Sequence, residues 1–202
     1  MATAEAGTVI DATNLEVKLV EISNGNNARP TATLKEGVTV KGLTVLFDGA
    51  NQNILTDGAV ANSGAITFDG CTFKAINDFS NKTYLQSGAN AGNTKVVFND
   101  CTFTGPAIFA DATGGGVEYN NCKFELSDGY GYVQCMGGDH IFNNCTFDIS
   151  GSYTYFDTAI TKFGKLNLYS ERYNTNVVLN GCNSVSRHIY NALGGAGSVT
   201  VK

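Results

Sequence analysis

Phe142-Asn143-Asn144-Cys145-Thr146-Phe147 is the six-residue phrase on which the reading of this chain turns. Near copies stand at Phe68-Asp69-Gly70-Cys71-Thr72-Phe73, Phe98-Asn99-Asp100-Cys101-Thr102-Phe103 and Tyr119-Asn120-Asn121-Cys122-Lys123-Phe124, with a weaker one at Leu179-Asn180-Gly181-Cys182-Asn183-Ser184. Each sets an apolar residue three before a cysteine, a turn-prone pair between them, and usually a Phe two after it. Val40-Lys41-Gly42-Leu43-Thr44-Val45 fits with Leu43 in the cysteine slot, and Leu15 followed by Val17 fits loosely. The slot therefore falls at positions 15, 43, 71, 101, 122, 145 and 182. Repetition at roughly 20 to 40 residues is the mark of a solenoid. No helical spacing runs through the repeat, so its coils read as strands and turns.

Strand geometry explains the phrase position by position. Side chains alternate across a strand, so the slot Cys and the Phe two later point the same way. Both belong to the residue types most often buried, so both are expected inside. Thr72, Thr102 and Thr146 then face outward, where a β-branched polar residue suits a strand. The Asn, Asp and Gly residues before the slot tolerate the left-handed backbone of a sharp corner. Asn99, Asn120, Asn143 and Asn180, with Asp69, are expected to stack as a polar ladder at that corner. The fold so predicted is all-β: a single-stranded right-handed parallel β-helix of about seven rungs, roughly 35 Å long at about 4.8 Å per rung. Residues 1–36 read as an N-terminal rung and cap and 37–202 as the regular rungs, with one continuous domain over 1–202 as the alternative. Ser198-Val199-Thr200-Val201-Lys202 matches Gly37-Val38-Thr39-Val40-Lys41, as a final capping strand or as the start of a further coil.

Eight residues after the slots stand Phe79, Phe109, Tyr130, Tyr153 and Tyr190. Two readings stay open for this set: a second interior stack, or an outward aromatic strip able to bind sugar rings.

Composition narrows the function classes. The chain has 202 residues, 43% of them hydrophobic, which suits one long, thin core. A formal charge of −5 leaves no basic patch to neutralise phosphates, so no nucleic-acid partner is expected. No apolar run reaches the 18 residues of a membrane span, so no membrane insertion is expected. Met1-Ala2-Thr3-Ala4-Glu5-Ala6 lacks the basic start and apolar core of a signal peptide. The expectation is a mature or excised extracellular fragment, or a protein exported without a signal.

The six cysteines read as free, buried thiols. Slot cysteines on adjacent rungs would have parallel Cβ vectors about 4.8 Å apart, whereas a disulfide needs Cβ atoms near 3.8 Å. No C-x-x-C pair exists, and His140 and His188 share no ligand spacing, so no metal and no cofactor is expected. Cys135 lies off the ladder, and the repeat offers no role for it.

No nucleophile-elbow, zinc-protease or phosphate-loop motif is present. Asp139-His140 reads as a turn, and Arg187-His188 as a weak cluster. The best carboxylate pair comes from register: Glu125 and Asp148 each stand three after a slot, so they should be neighbours near the roughly 5 Å separation of a retaining glycosidase. Lys123 lies beside them. A solvated strand face with a compensating lysine is the simpler reading of the same residues. Excess chain length around residues 80–94 and within 150–176 should leave the rod as loops, and loops on a rigid scaffold collect binding residues. Tyr84, Tyr153, Tyr155, Arg172 and Tyr173 are the contact candidates there, for a glycan or for neighbouring structural subunits.

The phrase resembles the repeats of right-handed β-helix proteins of the pectate-lyase-like superfamily, including modules of phage appendages and gut-bacterial surface proteins. The resemblance covers residues from about 37 to 202 and implies the fold. Lyases of that superfamily carry outward acids for calcium with a catalytic Arg or Lys, and polygalacturonase-like hydrolases carry N-T-D, D-D, G-H-G and R-I-K motifs. None of those motifs stands here, so no catalytic residue is carried over. The favoured expectation is a non-catalytic, extracellular β-helix, structural or adhesive, on a virion or a bacterial cell surface, with oligomerisation open. A polysaccharide lyase or glycoside hydrolase is the alternative. An ice-binding face is the distant third, because the outward column Thr44, Thr72, Thr102, Lys123, Thr146 and Asn183 is single and interrupted.

Overall fold

The structure is a computed structural model. It describes residues 3–4, 7–19, 33–34, 37–47, 53–56, 65–76, 82–87, 95–106, 108–112, 116–127, 132–136, 138–149, 165–169, 175–184, 188–191 and 198–202. Among them every regular element is a strand, and none is a helix.

Three parallel sheets hold almost all of these strands, and each sheet takes every third strand in chain order. The first contains Val9–Asp11, Thr39–Lys41, Ile66–Asp69, Val96–Asn99, Val117–Asn120, Gly138–Asn143, Thr175–Asn180 and Ser198–Val201. The second contains Glu16–Leu19, Thr44–Phe47, Thr72–Ala75, Thr102–Gly105, Lys123–Leu126, Thr146–Ile149 and Asn183–Ser184. The third contains Asn53–Thr56, Lys82–Ser87, Ile108–Ala112, Tyr132–Met136, Lys165–Tyr169 and His188–Asn191. A separate parallel pair joins Thr3–Ala4 to Thr33–Leu34. The order is solenoid-like and compatible with a parallel β-helix. Pairing runs across the 36/37 boundary without a break, since Val9–Asp11 pairs with Thr39–Lys41 and Glu16–Leu19 with Thr44–Phe47.

The corner before each slot is built as the phrase requires. Asn14, Asp100, Asn121 and Asn144 have φ between 53° and 69°, and Gly42, Gly70 and Gly181 between 59° and 66°. These are the seven residues that immediately precede the slot positions. Asn and Asp are the side-chain-bearing types that enter this region at least cost. Corner amides then bond to the following coil: Asp100 N to Asn120 O, Asn121 N to Asn143 O and Asn144 N to Asn180 O, each at 2.8 Å. Beside them the side chains form the expected ladder. Asn120 Nδ2 donates to Asn99 Oδ1 at 2.9 Å, Asn143 to Asn120 at 2.8 Å and Asn180 to Asn143 at 2.7 Å.

In-register parallel strands bring like side chains over like, and the core follows from that. Phe68, Phe98, Tyr119 and Phe142 stack with ring centroids 5.3, 5.1 and 4.5 Å apart. Phe73, Phe103, Phe124 and Phe147 stack at 5.0, 4.8 and 4.9 Å. The two columns meet edge to face, as for Phe73 against Phe98 at 90°. Offset stacking within a column and edge contact between columns are the arrangements that ring quadrupoles favour.

The slot thiols complete this interior. Cys71, Cys101, Cys122 and Cys145 are buried, Cys182 is half-buried, and all are free. Each reaches back one coil: Cys101 Sγ donates to Phe68 O at 3.5 Å, Cys122 to Phe98 O at 3.4 Å and Cys145 to Tyr119 O at 3.4 Å. The Cys122 thiol beside it, together with burial, pushes Cys145 up to about 12. Neighbouring thiols and burial also push Cys101 and Cys182 well above the ordinary thiol range. Cys101 and Cys145 pull the Cys122 thiol down, and Cys101 pulls Cys71 down, so the column holds both raised and lowered thiols.

The acceptor at Phe98 O changes what substitution should do. A hydroxyl buried in an apolar column costs on the order of 1–3 kcal/mol, but here it inherits a partner. Cys122→Ser is therefore expected to cost about 1 kcal/mol, and Cys122→Ala no less, as read by urea unfolding midpoints. A Ser variant several kcal/mol worse than Ala would show that the carbonyl is out of reach.

Two expectations are corrected by the third sheet. Phe109 is fully buried and touches Phe47 and Phe103, so it is interior. It is in register with Thr83 and Val133, and through Val133 and Leu166 with Ile189. Tyr190 instead aligns with Asn167, one position further along. The two aromatics therefore belong to different columns, because corners of unequal length separate the slots from the third-sheet strands. Phe79, Tyr130 and Tyr153 lie outside the described residues. The stretch around 80–94 is not wholly a loop either: Lys82–Ser87 is a strand of the third sheet. So is Lys165–Tyr169, within the stretch 150–176.

Candidate functional site

The outer face of the second sheet carries two columns of side chains. Thr44, Thr72, Thr102, Lys123, Thr146 and Asn183 follow one another in register. Beside them run Leu46, Lys74, Thr104, Glu125 and Asp148. Alternation places both columns opposite the buried Val45, Phe73, Phe103, Phe124 and Phe147.

Glu125 and Asp148 are direct register partners on adjacent strands, as their common offset from the slot implies. Both side chains are exposed, and so are Lys123 and Thr146. What the arrangement supplies is an exposed, mixed-charge strip on which Lys74 and Lys123 stand with the two acids.

The contact candidates fare differently. Tyr84 lies in the strand Lys82–Ser87, in register with Asn53 and Ala110, so it belongs to the third sheet rather than to a loop. Tyr153, Tyr155, Arg172 and Tyr173 lie outside the described residues, as does Arg187. His188 lies in a strand opposite Lys165. Among the described residues no group of three or more His, Cys, Asp or Glu could hold a metal ion, and no helix is long and apolar enough to cross a membrane.

Three features escaped the sequence reading. Lys95 meets Glu118 across one coil, joining Nζ to Oε2. The Lys95 ammonium, helped by Asn120, holds the Glu118 carboxyl below the usual range against partial burial. A lowered folded value means that the pair stabilises above the unfolded value of about 4.3 and is lost as pH falls through the folded one. With side chains 45% and 25% exposed, solvent screening keeps it small. Glu118→Gln is expected to cost under about 1 kcal/mol at pH 7 and nothing at pH 2, by thermal unfolding at both pH values.

The second is Cys135, fully buried in the strand Tyr132–Met136 opposite Leu168, which makes it a core residue of the third sheet. The third is His140. Asp139 and His140 form no turn: they belong to the strand Gly138–Asn143, whose first residue has a φ of 69°. Asp139 faces out and accepts from Asn176 Nδ2 at 3.0 Å, while His140 faces in and is fully buried. Counting back five residues from each slot would have found it among the core positions.

Comparisons with protein-family models, with curated proteins and with solved structures find no match for the chain.

Proposed function

We propose that the chain is a right-handed parallel β-helix of about seven rungs, acting as a non-catalytic, surface-displayed structural or adhesive module of a phage particle or bacterial cell surface. The observation that carries this reading is how the described coils divide their side chains. Inward positions form continuous columns of rings and thiols, and outward positions of the second sheet are mostly hydroxyl, amide or single charges at fixed register. Such a rod is stiff along its length, and its outer faces are available to a glycan or to a neighbouring structural subunit. Extracellular display is part of the same proposal.

One observation favours the alternative, a polysaccharide lyase or glycoside hydrolase: the in-register Glu125 and Asp148. Catalysis there also needs a groove that positions several sugar units beside the acids. Both acids are exposed, which offers transition-state charge little enclosure. Purified protein is therefore expected to release no unsaturated or reducing ends from pectin, alginate or host glycans. Binding to a glycan array is expected to be weak, and to fall on alanine substitution at Tyr155 or Arg172. Cleavage by the wild type that is lost in Glu125→Gln and Asp148→Asn would establish the enzyme instead.

A further inference from the structure

Slot positions on five successive coils carry Cys71, Cys101, Cys122, Cys145 and Cys182, all of them free. In-register pairs flank the slots on both sides. Asp69, Asn99, Asn120, Asn143 and Asn180 align two residues before them, and Thr72, Thr102, Lys123, Thr146 and Asn183 one residue after. Backbone register therefore sets the five thiols in one line at the strand separation of about 4.8 Å. Neighbours in the line interact directly: Cys71 with Cys101, Cys101 with Cys122, Cys122 with Cys145 and Cys145 with Cys182. Two backbone carbonyl oxygens stand 3.2–3.6 Å from each of the five sulfurs. Packing alone does not call for sulfur here, since Leu43 fills the same slot against the core on an earlier coil.

We propose that this column binds soft monovalent metal ions of the Cu(I) and Ag(I) type, each held in line between the sulfurs of two adjacent coils. A metal–thiolate bond of about 2.3 Å makes a linear sulfur–metal–sulfur unit about 4.6 Å long, close to the strand separation. Sheet hydrogen bonding thus spaces the two ligands before any ion arrives. Sulfurs two coils apart are separated by about 9.6 Å and cannot share an ion. The absence of a three-ligand cluster among the described residues agrees with this, because the column offers its sulfurs two at a time. Zn(II) asks for four ligands in a tetrahedron and finds no such set in the column. Thiolate softness selects Cu(I)-like ions, whereas Ca(II) and Mg(II) take oxygen ligands in larger number. The C-x-x-C and histidine spacings whose lack spoke against a metal belong to tetrahedral sites, not to this geometry.

Charge balances along the column. Each entering ion displaces one thiol proton to solvent and forms bonds to two sulfurs, the inner sulfurs bridging two ions. Five sulfurs, four ions and one remaining proton are neutral, as five thiols are. The apolar core therefore takes up no uncompensated charge. Cys182, half-buried at one end of the line, is where solvent reaches the column, and the other four thiols are buried.

The test is titration of the whole reduced chain with silver nitrate in chloride-free buffer, with excess methionine as a competing thioether. Bound ions are counted by native mass spectrometry, and strand content is followed by circular dichroism. The wild type is expected to hold about four Ag(I), one in each gap of the column, with strand content unchanged. Cys122→Ala splits the column into two pairs and should hold about half as many, and Cys71→Ala shortens it and should lose about one. Cys135→Ala, off the column, should lose none. X-ray absorption at the silver edge is expected to show two sulfur neighbours per ion. Equal losses in Cys122→Ala and Cys135→Ala would mean independent thiols and overturn the proposal. So would silver uptake only with loss of strand content, one sulfur neighbour per ion, or no silver retained against methionine.

Discussion

Gly105→Ala is expected to lose about 3–5 kcal/mol of stability, although it adds a single methyl group. Two costs combine at this position. Its φ of 103° lies where a side chain is strained. A Cβ built there would also lie 2.2 Å from the carbonyl oxygen of Ala75 and 3.0 Å from its carbon, so backbone would have to move. The close approach makes sense in the packing. Phe109 enters from the third sheet against Phe47 and Phe103; the small Ala75 is in register with Phe47, and Gly105 stands two residues after Phe103 on the same strand. Gly70→Asn is the control. Its φ of 62° matches Asp100, Asn121 and Asn144 at the same corner of later coils, and a Cβ there meets nothing within 4 Å. It is expected to stay within about 0.5 kcal/mol of wild type, because Asn is at home in this conformation and restricts the unfolded chain. Urea midpoints of the two variants check the contrast, and similar losses from both would refute the packing argument.

Phe124→Ala should be comparably damaging for a different reason. The ring is fully buried, stacked on Phe103 at 4.8 Å and on Phe147 at 4.9 Å, with Tyr119 and Phe142 edge-on at 5.4 and 5.7 Å. Its removal leaves a void bounded by rings whose strands are held at fixed spacing and cannot close in. Phe→Ala truncations of this kind cost about 3–5 kcal/mol. Phe124→Leu, which keeps most of the volume, is expected to cost less than half as much. In a solenoid each coil is supported mainly by its two neighbours, so a defect in a middle coil weakens both of its interfaces. Thermal unfolding of the two variants is the measurement. A Phe124→Ala midpoint within a degree or two of wild type would mean that the ring columns carry little of the stability.

The outcome at individual residues shows what kind of information a single chain carries. Cys145 and Phe147 could be placed inside because strand side chains alternate, and that rule needs only neighbours in sequence. Asn144 could be placed at a left-handed corner because its short amide side chain tolerates that backbone. Glu125 and Asp148 could be paired because both stand three after a slot, inside one short strand with no corner between. The same counting failed for Phe109 and Tyr190. A corner intervenes there, and the position at which a third-sheet strand starts is set by hydrogen bonding to the coil beneath it. Lys95 and Glu118 escaped notice because they stand at different offsets from their slots and meet diagonally across a coil.

The repeating phrase by itself determined the strand-and-corner unit, its inward and outward residues and the stacking of like on like, since all three follow from local backbone chemistry and a period of two. The tertiary structure alone decided that Phe109 shares a column with Thr83 and Val133, that Lys95 reaches Glu118, and that His140 stands fully buried between Val117 and Val177. Those contacts join residues roughly one coil apart, and sheet hydrogen bonding across corners of unequal length chooses which residues meet.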